Sequence, residues 1–158
     1  MTFFQKLALF SLRVSLGWMM FYAGITKVLN PEWSPFGYLA RAKTFPDFYA
    51  LFLDPTILPY TTFFNAWGLT LIGVALLVGF GVRTASIFAI LIMLLYYFPA
   101  LAFPYIGENA FLVDSHIIYA TGFLVLLALG AKHPWSVAAF LKRLPFFATR
   151  PRLQKIIE

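Results

Sequence analysis

Apolar residues fall in four long runs, Leu7–Leu29, Tyr60–Gly79, Thr84–Phe103 and Phe111–Ala131, and most of the proline and charge lies between or after them. A bilayer core about 30 Å thick takes roughly 20 apolar residues in helix, so each run is long enough for one crossing. The pattern predicts an all-α, integral membrane four-helix bundle, formed as a single domain over residues 1–158. No second domain, low-complexity stretch or internal repeat interrupts it. The first run is expected to be a retained helix rather than a signal peptide. Arg13 breaks its apolar part, it is long, and no convincing small-x-small cleavage site follows.

The connections differ in character. Gly79-Phe80-Gly81-Val82-Arg83 joins the second and third runs with two glycines that permit a tight reversal, and Thr84 is placed to cap the next helix. Asn109 is a candidate cap for the fourth helix. The long stretch 30–59 is divided by five prolines and is rich in aromatics, from Trp33 and Tyr38 to Phe52. It reads as a segment on the membrane surface or over the bundle. Residues 134–144 combine Trp135, Phe140 and Leu141 with Lys142 and Arg143, the pattern of an interfacial helix.

Composition agrees with lipid as the solvent. The chain is 61% hydrophobic and 11% charged, with a mean hydropathy of +0.82. A soluble domain carries about 25% charged residues. The net charge of +6 arises largely in the tail 132–158, which holds six of the twelve basic residues. A basic stretch after an apolar run faces the cytoplasm and its lipid headgroups, so nucleic acid is not an expected partner. Lys6, Arg83 and the tail therefore place both termini in the cytoplasm. Stretches 30–59 and 104–110 fall outside, although Arg41 and Lys43 count weakly against this. The chain has no cysteine, which excludes thiol–disulfide exchange through its own side chains and thiolate metal sites.

Helical spacing puts Arg13, Gly17, Met20, Gly24 and Lys27 on one face of the first helix, with the two charges about 21 Å apart along the axis. Asn65, Gly68, Ile72, Ala75 and Gly79 form a stripe on the second, and Ser86, Ala89, Met93, Tyr96 and Ala100 one on the third. Their plain reading is the seam of the bundle. Charges at membrane depth demand more, because each costs several kcal/mol unless paired or solvated. Arg13 either snorkels toward the cytoplasmic surface or has a function. Lys27 lies level with Asp114, so an ion pair between them is geometrically possible. His116 shares a face with Tyr119, while Asp114, two residues before His116, should face elsewhere on a regular helix. Either the first turn of that helix is irregular or only one of the two points inward. No metal-ligand motif is present.

These residues carry a resemblance to the DoxX family, and within it to the DoxD-like branch of thiosulfate:quinone oxidoreductase. Arg13-…-Gly17, Ala23-Gly24-…-Lys27, Gly37-Tyr38-Leu39 with Ala42, Trp67-Gly68 with Gly73-…-Leu76 and the turn before Arg83 follow the family order. Val113-Asp114-Ser115-His116-Ile117-Ile118-Tyr119 is similar to an Asp-x-His-x-x-Tyr segment of that branch. After Gly130 the chain departs from the pattern, lacking the acidic residue that often follows the serine at Ser136. The resemblance implies a membrane subunit that uses a quinone as electron acceptor, accompanied by a small partner subunit, with thiosulfate oxidised to tetrathionate.

The leading expectation is thus a quinone-linked membrane oxidoreductase subunit. His116, with Asp114 or Tyr119, would supply protons, and Lys27 would stabilise developing negative charge. Arg13, Asn65, Met93 and Tyr96 would contact the quinone, and Arg41 and Lys43 an anionic donor. Membrane lipid is a further partner, and self-association into a homo-oligomer stays open. The alternative is a non-enzymatic membrane scaffold that recruits a redox partner. A small-solute transporter is third, since the runs are neither broken nor repeated.

Overall fold

The computed structural model describes residues 1–108, 110–129 and 134–141. Four long helices form the body: α1 (Phe3–Val28), and, after two short helices α2 (Phe36–Leu39) and α3 (Pro46–Ala50), α4 (Leu58–Val78), α5 (Val82–Ala100) and α6 (Ser115–Leu129). A last short helix, α7, covers Val137–Leu141. Three of the long helices are long and apolar enough to cross a membrane. The fourth, α6, has 15 described residues, or about 22 Å of helix. Large side chains such as Phe64, Leu71, Leu91 and Leu124 stand exposed along these helices. Lipid is the solvent that accommodates such a surface.

Helix starts follow local capping more closely than hydrophobicity. α1 begins at Phe3, ahead of the apolar run, because Thr2 and Gln5 form a capping box: Gln5 N–H donates to Thr2 Oγ1 at 3.2 Å and Thr2 N–H to Gln5 Oε1 at 2.8 Å. α4 ends on Gly79 in the left-handed region (φ 73°), and α5 starts after Gly81 (φ 63°), so the two glycines make the tight reversal. Thr84 lies within the first turn of α5 rather than at its cap. The helix stops at Ala100, three residues short of the end of the apolar run. The chain then forms three two-residue antiparallel strands, β1 (Leu101–Ala102), β2 (Tyr105–Ile106) and β3 (Ala110–Phe111). α6 starts at Ser115, four residues later than its apolar run. Asn109 and the basic residues from Lys142 onward lie outside the described residues.

The four long helices pack as two close pairs, α1 with α4 and α5 with α6. α1 and α4 run antiparallel with backbones in near contact. A Cβ added to Gly24 would strike Thr70, and one added to Gly73 would strike the backbone of Phe21. The common core is built from Leu16, Met20, Leu69, Leu76, Ala89, Met93, Phe123 and Leu126 among others. At one end of the bundle lie the chain start, the Gly79–Gly81 turn and residues 134–141. At the opposite end, called the loop end below, residues 29–57 fold over α5. Lys43 N–H donates to the Pro99 carbonyl at 3.0 Å, and Thr44 Oγ1 to that of Leu101 at 2.5 Å.

Candidate functional site

Each long helix brings one polar side chain to the loop end: Lys27 from α1, Asn65 from α4, Tyr96 from α5 and His116 from α6. The arrangement at His116 is set by Asp114, which precedes the helix and caps it. Asp114 Oδ1 accepts from the backbone N–H groups of His116 (2.9 Å) and Ile117 (3.3 Å), while Oδ2 lies 2.6 Å from His116 Nδ1. An ionised carboxylate only accepts, so Nδ1 carries the hydrogen and Nε2 is left for other partners. The pair shares one side of the helix because Asp114 is not itself helical. The pairing needs no irregular turn: Asp114 stands just before a regular helix as its cap.

The His116 ring packs 5.8 Å from that of Tyr96, whose hydroxyl donates to Asn65 Oδ1 at 2.7 Å. Lys27 Nζ donates to the Ala23 carbonyl at 2.7 Å and sits 5.2 Å from the Trp33 ring centre. Lys27, Trp33, Tyr38, Tyr96 and His116, with Ser34 and Pro35, line an open cavity of about 270 Å³. That is near the lower limit of small-molecule pockets, about 300 Å³. Its walls combine aromatic faces with one ammonium and one imidazole.

Tyr38, on α2, forms the far wall. Its hydroxyl donates to the Tyr96 carbonyl, and its ring meets the Tyr96 ring edge-on at 5.9 Å. Burial first, then the nearby Tyr96, Asp114 and Tyr49, push its phenol up to about 12. Beyond it lies a second cavity of about 450 Å³, lined by Arg41 and Lys43 together with Gly37, Pro99, Ala100 and Gly107. A third, smaller cleft of about 80 Å³ reaches from Tyr38 to Asn65 between α4 and α5.

The DoxX family model matches residues 8–102, more than half of the chain. The chain belongs to the DoxX family. It is accordingly a membrane protein. No curated protein and no solved structure matches it. The matched stretch of this DoxX protein carries Lys27, Tyr38, Arg41, Lys43, Asn65 and Tyr96 but ends before Asp114 and His116.

Several sequence expectations meet a different arrangement. Lys27 and Asp114 do not pair. Lys27 is satisfied by the carbonyl one turn back on its own helix and by Trp33, and Asp114 is taken by His116. His116–Asp114 is the one contact between a basic and an acidic side chain at this distance among the described residues. Tyr119, one turn deeper than His116, packs on the main core and is not among the cavity's lining residues. Met93 is a core residue, 4% exposed. Arg13 is the clearest correction. It lies at the end opposite the site, fully buried, and does not snorkel. Its Nη1 donates to the Leu76 carbonyl at 2.7 Å, with that of Leu77 at 3.4 Å, and its Nη2 to those of Trp135 (3.0 Å) and Pro134 (3.3 Å). Arg13 holds protein rather than cofactor. Sequence reasoning passed over Trp33 and Tyr38 as site residues; the one available signal was Gly37-Tyr38 standing inside the family-like pattern. No cluster of three metal-ligating side chains occurs among the described residues.

Proposed function

We propose that this DoxX protein is a membrane oxidoreductase subunit that passes electrons from a small anionic donor, thiosulfate as in the DoxD-like branch, to a membrane quinone. The observation that carries the reading is an imidazole oriented by a carboxylate on the wall of an aromatic cavity that also holds an ammonium group. A quinone bound there would supply a two-electron, two-proton acceptor. Its flat ring matches walls made by Trp33, Tyr38 and Tyr96. His116 delivers a proton from Nε2, while Asp114 fixes the ring's orientation and stabilises the imidazolium. With 29% of its side chain exposed, His116 recovers its proton from water. Lys27 places positive charge where negative charge develops on a carbonyl oxygen. Arg41 and Lys43 hold the anionic donor in the neighbouring cavity. With no cysteine in the chain, electrons pass directly between bound molecules or through a small partner subunit.

We further propose that the loop end faces outward and both termini inward, supported by Lys6, Arg83 and the basic residues after α6.

The decisive variant is His116→Gln, which keeps hydrogen-bonding capacity but cannot cycle a proton. Thiosulfate-dependent quinone reduction by the protein with its partner subunit should fall roughly 10²–10⁴-fold. Size-exclusion profiles and quinone binding should stay unchanged. A well-folded variant with full turnover removes His116 from the chemistry.

A further inference from the structure

The two larger cavities at the loop end are neighbours, and Tyr38 is the one residue that lines both. It lines the small cleft toward Asn65 as well. Tyr38 thus borders both the space beside Lys27 and His116 and the space beside Arg41 and Lys43. The chemistry of the two spaces differs. The first is walled by aromatic rings, with an imidazole and an ammonium, and suits a planar ring bearing carbonyl oxygens. The second has two cations, small residues and the Pro99–Ala100 backbone, and suits a compact oxyanion.

We propose that Tyr38 is the specificity-determining partition between these two sites, keeping an oxyanion held by Arg41 and Lys43 apart from a planar ring held beside Lys27 and His116. The proposal rests on the reading of the 270 Å³ cavity as a ring site.

The side chain is held by two contacts to Tyr96. Its hydroxyl donates to the Tyr96 carbonyl in the last turn of α5, and its ring edge rests on the Tyr96 ring. Just after it, Lys43 N–H and Thr44 Oγ1 tie the backbone to the Pro99 and Leu101 carbonyls. The phenol stays protonated far above neutral pH, so its hydroxyl remains a donor. A wall fixed in this way admits two separate ligands and rejects one molecule that joins a ring to an anionic group. Shortening the wall would merge cavities of about 270 and 450 Å³.

Two probes separate these behaviours: a short-chain benzoquinone, and anthraquinone-2-sulfonate, in which ring and anion are one rigid molecule. Binding to full-length protein in nanodiscs is read from quenching of Trp33 fluorescence, with Trp33→Phe as the blank. The parent should bind the benzoquinone more tightly than the sulfonate. In Tyr38→Ala the sulfonate should gain roughly tenfold or more, the scale on which pocket shape discriminates, and the benzoquinone should weaken. Adding Arg41→Gln should remove that gain. Tyr38→Phe keeps the wall and should keep the parent's order. If Tyr38→Ala does not fold, Tyr38→Leu shortens the wall with an apolar plug and carries the same expectation. Quenching in the parent with an unchanged order in the folded shortened variant overturns the partition alone. No Trp33 quenching by either probe in the parent overturns the ring site and the partition with it.

Discussion

Arg13 shows how a single side chain can settle the cost of burying a charge at membrane depth. The last carbonyls of a helix lack intrahelical donors and carry partial negative charge. α4 ends with those of Leu76 and Leu77 facing Arg13, and residues 134–135 add two more. The guanidinium fork supplies donors to all four and packs 5.5 Å from the Phe10 ring. Only Nε is left without an acceptor. Gly79 is required beside it, since a Cβ there would collide with the guanidinium and the backbone is left-handed. Arg13→Met keeps the length and removes the donors. It should cost about 1–3 kcal/mol for each carbonyl left buried and unpaired, read as a lower melting temperature in detergent. Turnover per folded molecule should stay as in the parent, because the site lies at the other end of α1. A Met variant that melts with the parent contradicts the clamp, and one that folds but loses quinone binding restores Arg13 to the site.

At the level of elements, helix faces were legible and helix ends were not. Arg13, Gly17, Met20 and Gly24 are all buried, as their spacing implied. On α4 the expected stripe is partly displaced: Ile72 is buried, but Thr70, Gly73 and Leu76 make the close contact. A Cβ at Gly68 would meet only Ile92 at 3.8 Å, ordinary packing, whereas Gly73 touches the α1 backbone. A glycine count cannot tell these apart. Hydrophobicity reports depth in the membrane but not backbone state, so the run through Phe103 concealed the first of three short strands, and the connection after it gave no sign of the other two. Pro99 has a consequence that only tertiary structure reveals. It lacks the N–H that the Leu95 carbonyl four residues earlier would accept from, and the Tyr49 hydroxyl supplies it from the loop at 3.2 Å. A pairing across 46 residues leaves no local trace. The same limit explains the site. Lys27, Asn65, Tyr96 and His116 stood out as polar groups on apolar helices, whereas Trp33 and Tyr38 reach it from a connection whose path over α5 no periodicity encodes.

The whole molecule is two helix pairs whose loop-end junction is lined by polar groups and closed by residues 29–57, while its opposite end is locked by Arg13. The proposed outward direction of the loop end follows from charge. Because the chain has no cysteine, a single one introduced at Ser34, Gly107 or Thr149 is the sole thiol. An impermeant reagent on intact cells or spheroplasts should label the first two and reach Thr149 only after permeabilisation. The reverse pattern contradicts the orientation. The central claim is narrower: His116, held by Asp114, presents Nε2 to a ring bound in the cavity. The sequence contains two histidines, so His133→Gln leaves one imidazole to observe. Nitrogen NMR of the ¹⁵N-histidine-labelled protein in nanodiscs tests the claim most directly. The account predicts a protonated Nδ1 throughout and an Nε2 resonance that moves when a short-chain quinone saturates Trp33 quenching. An Nε2 resonance unmoved at that saturation, or a proton on Nε2 with Nδ1 bare, would contradict it.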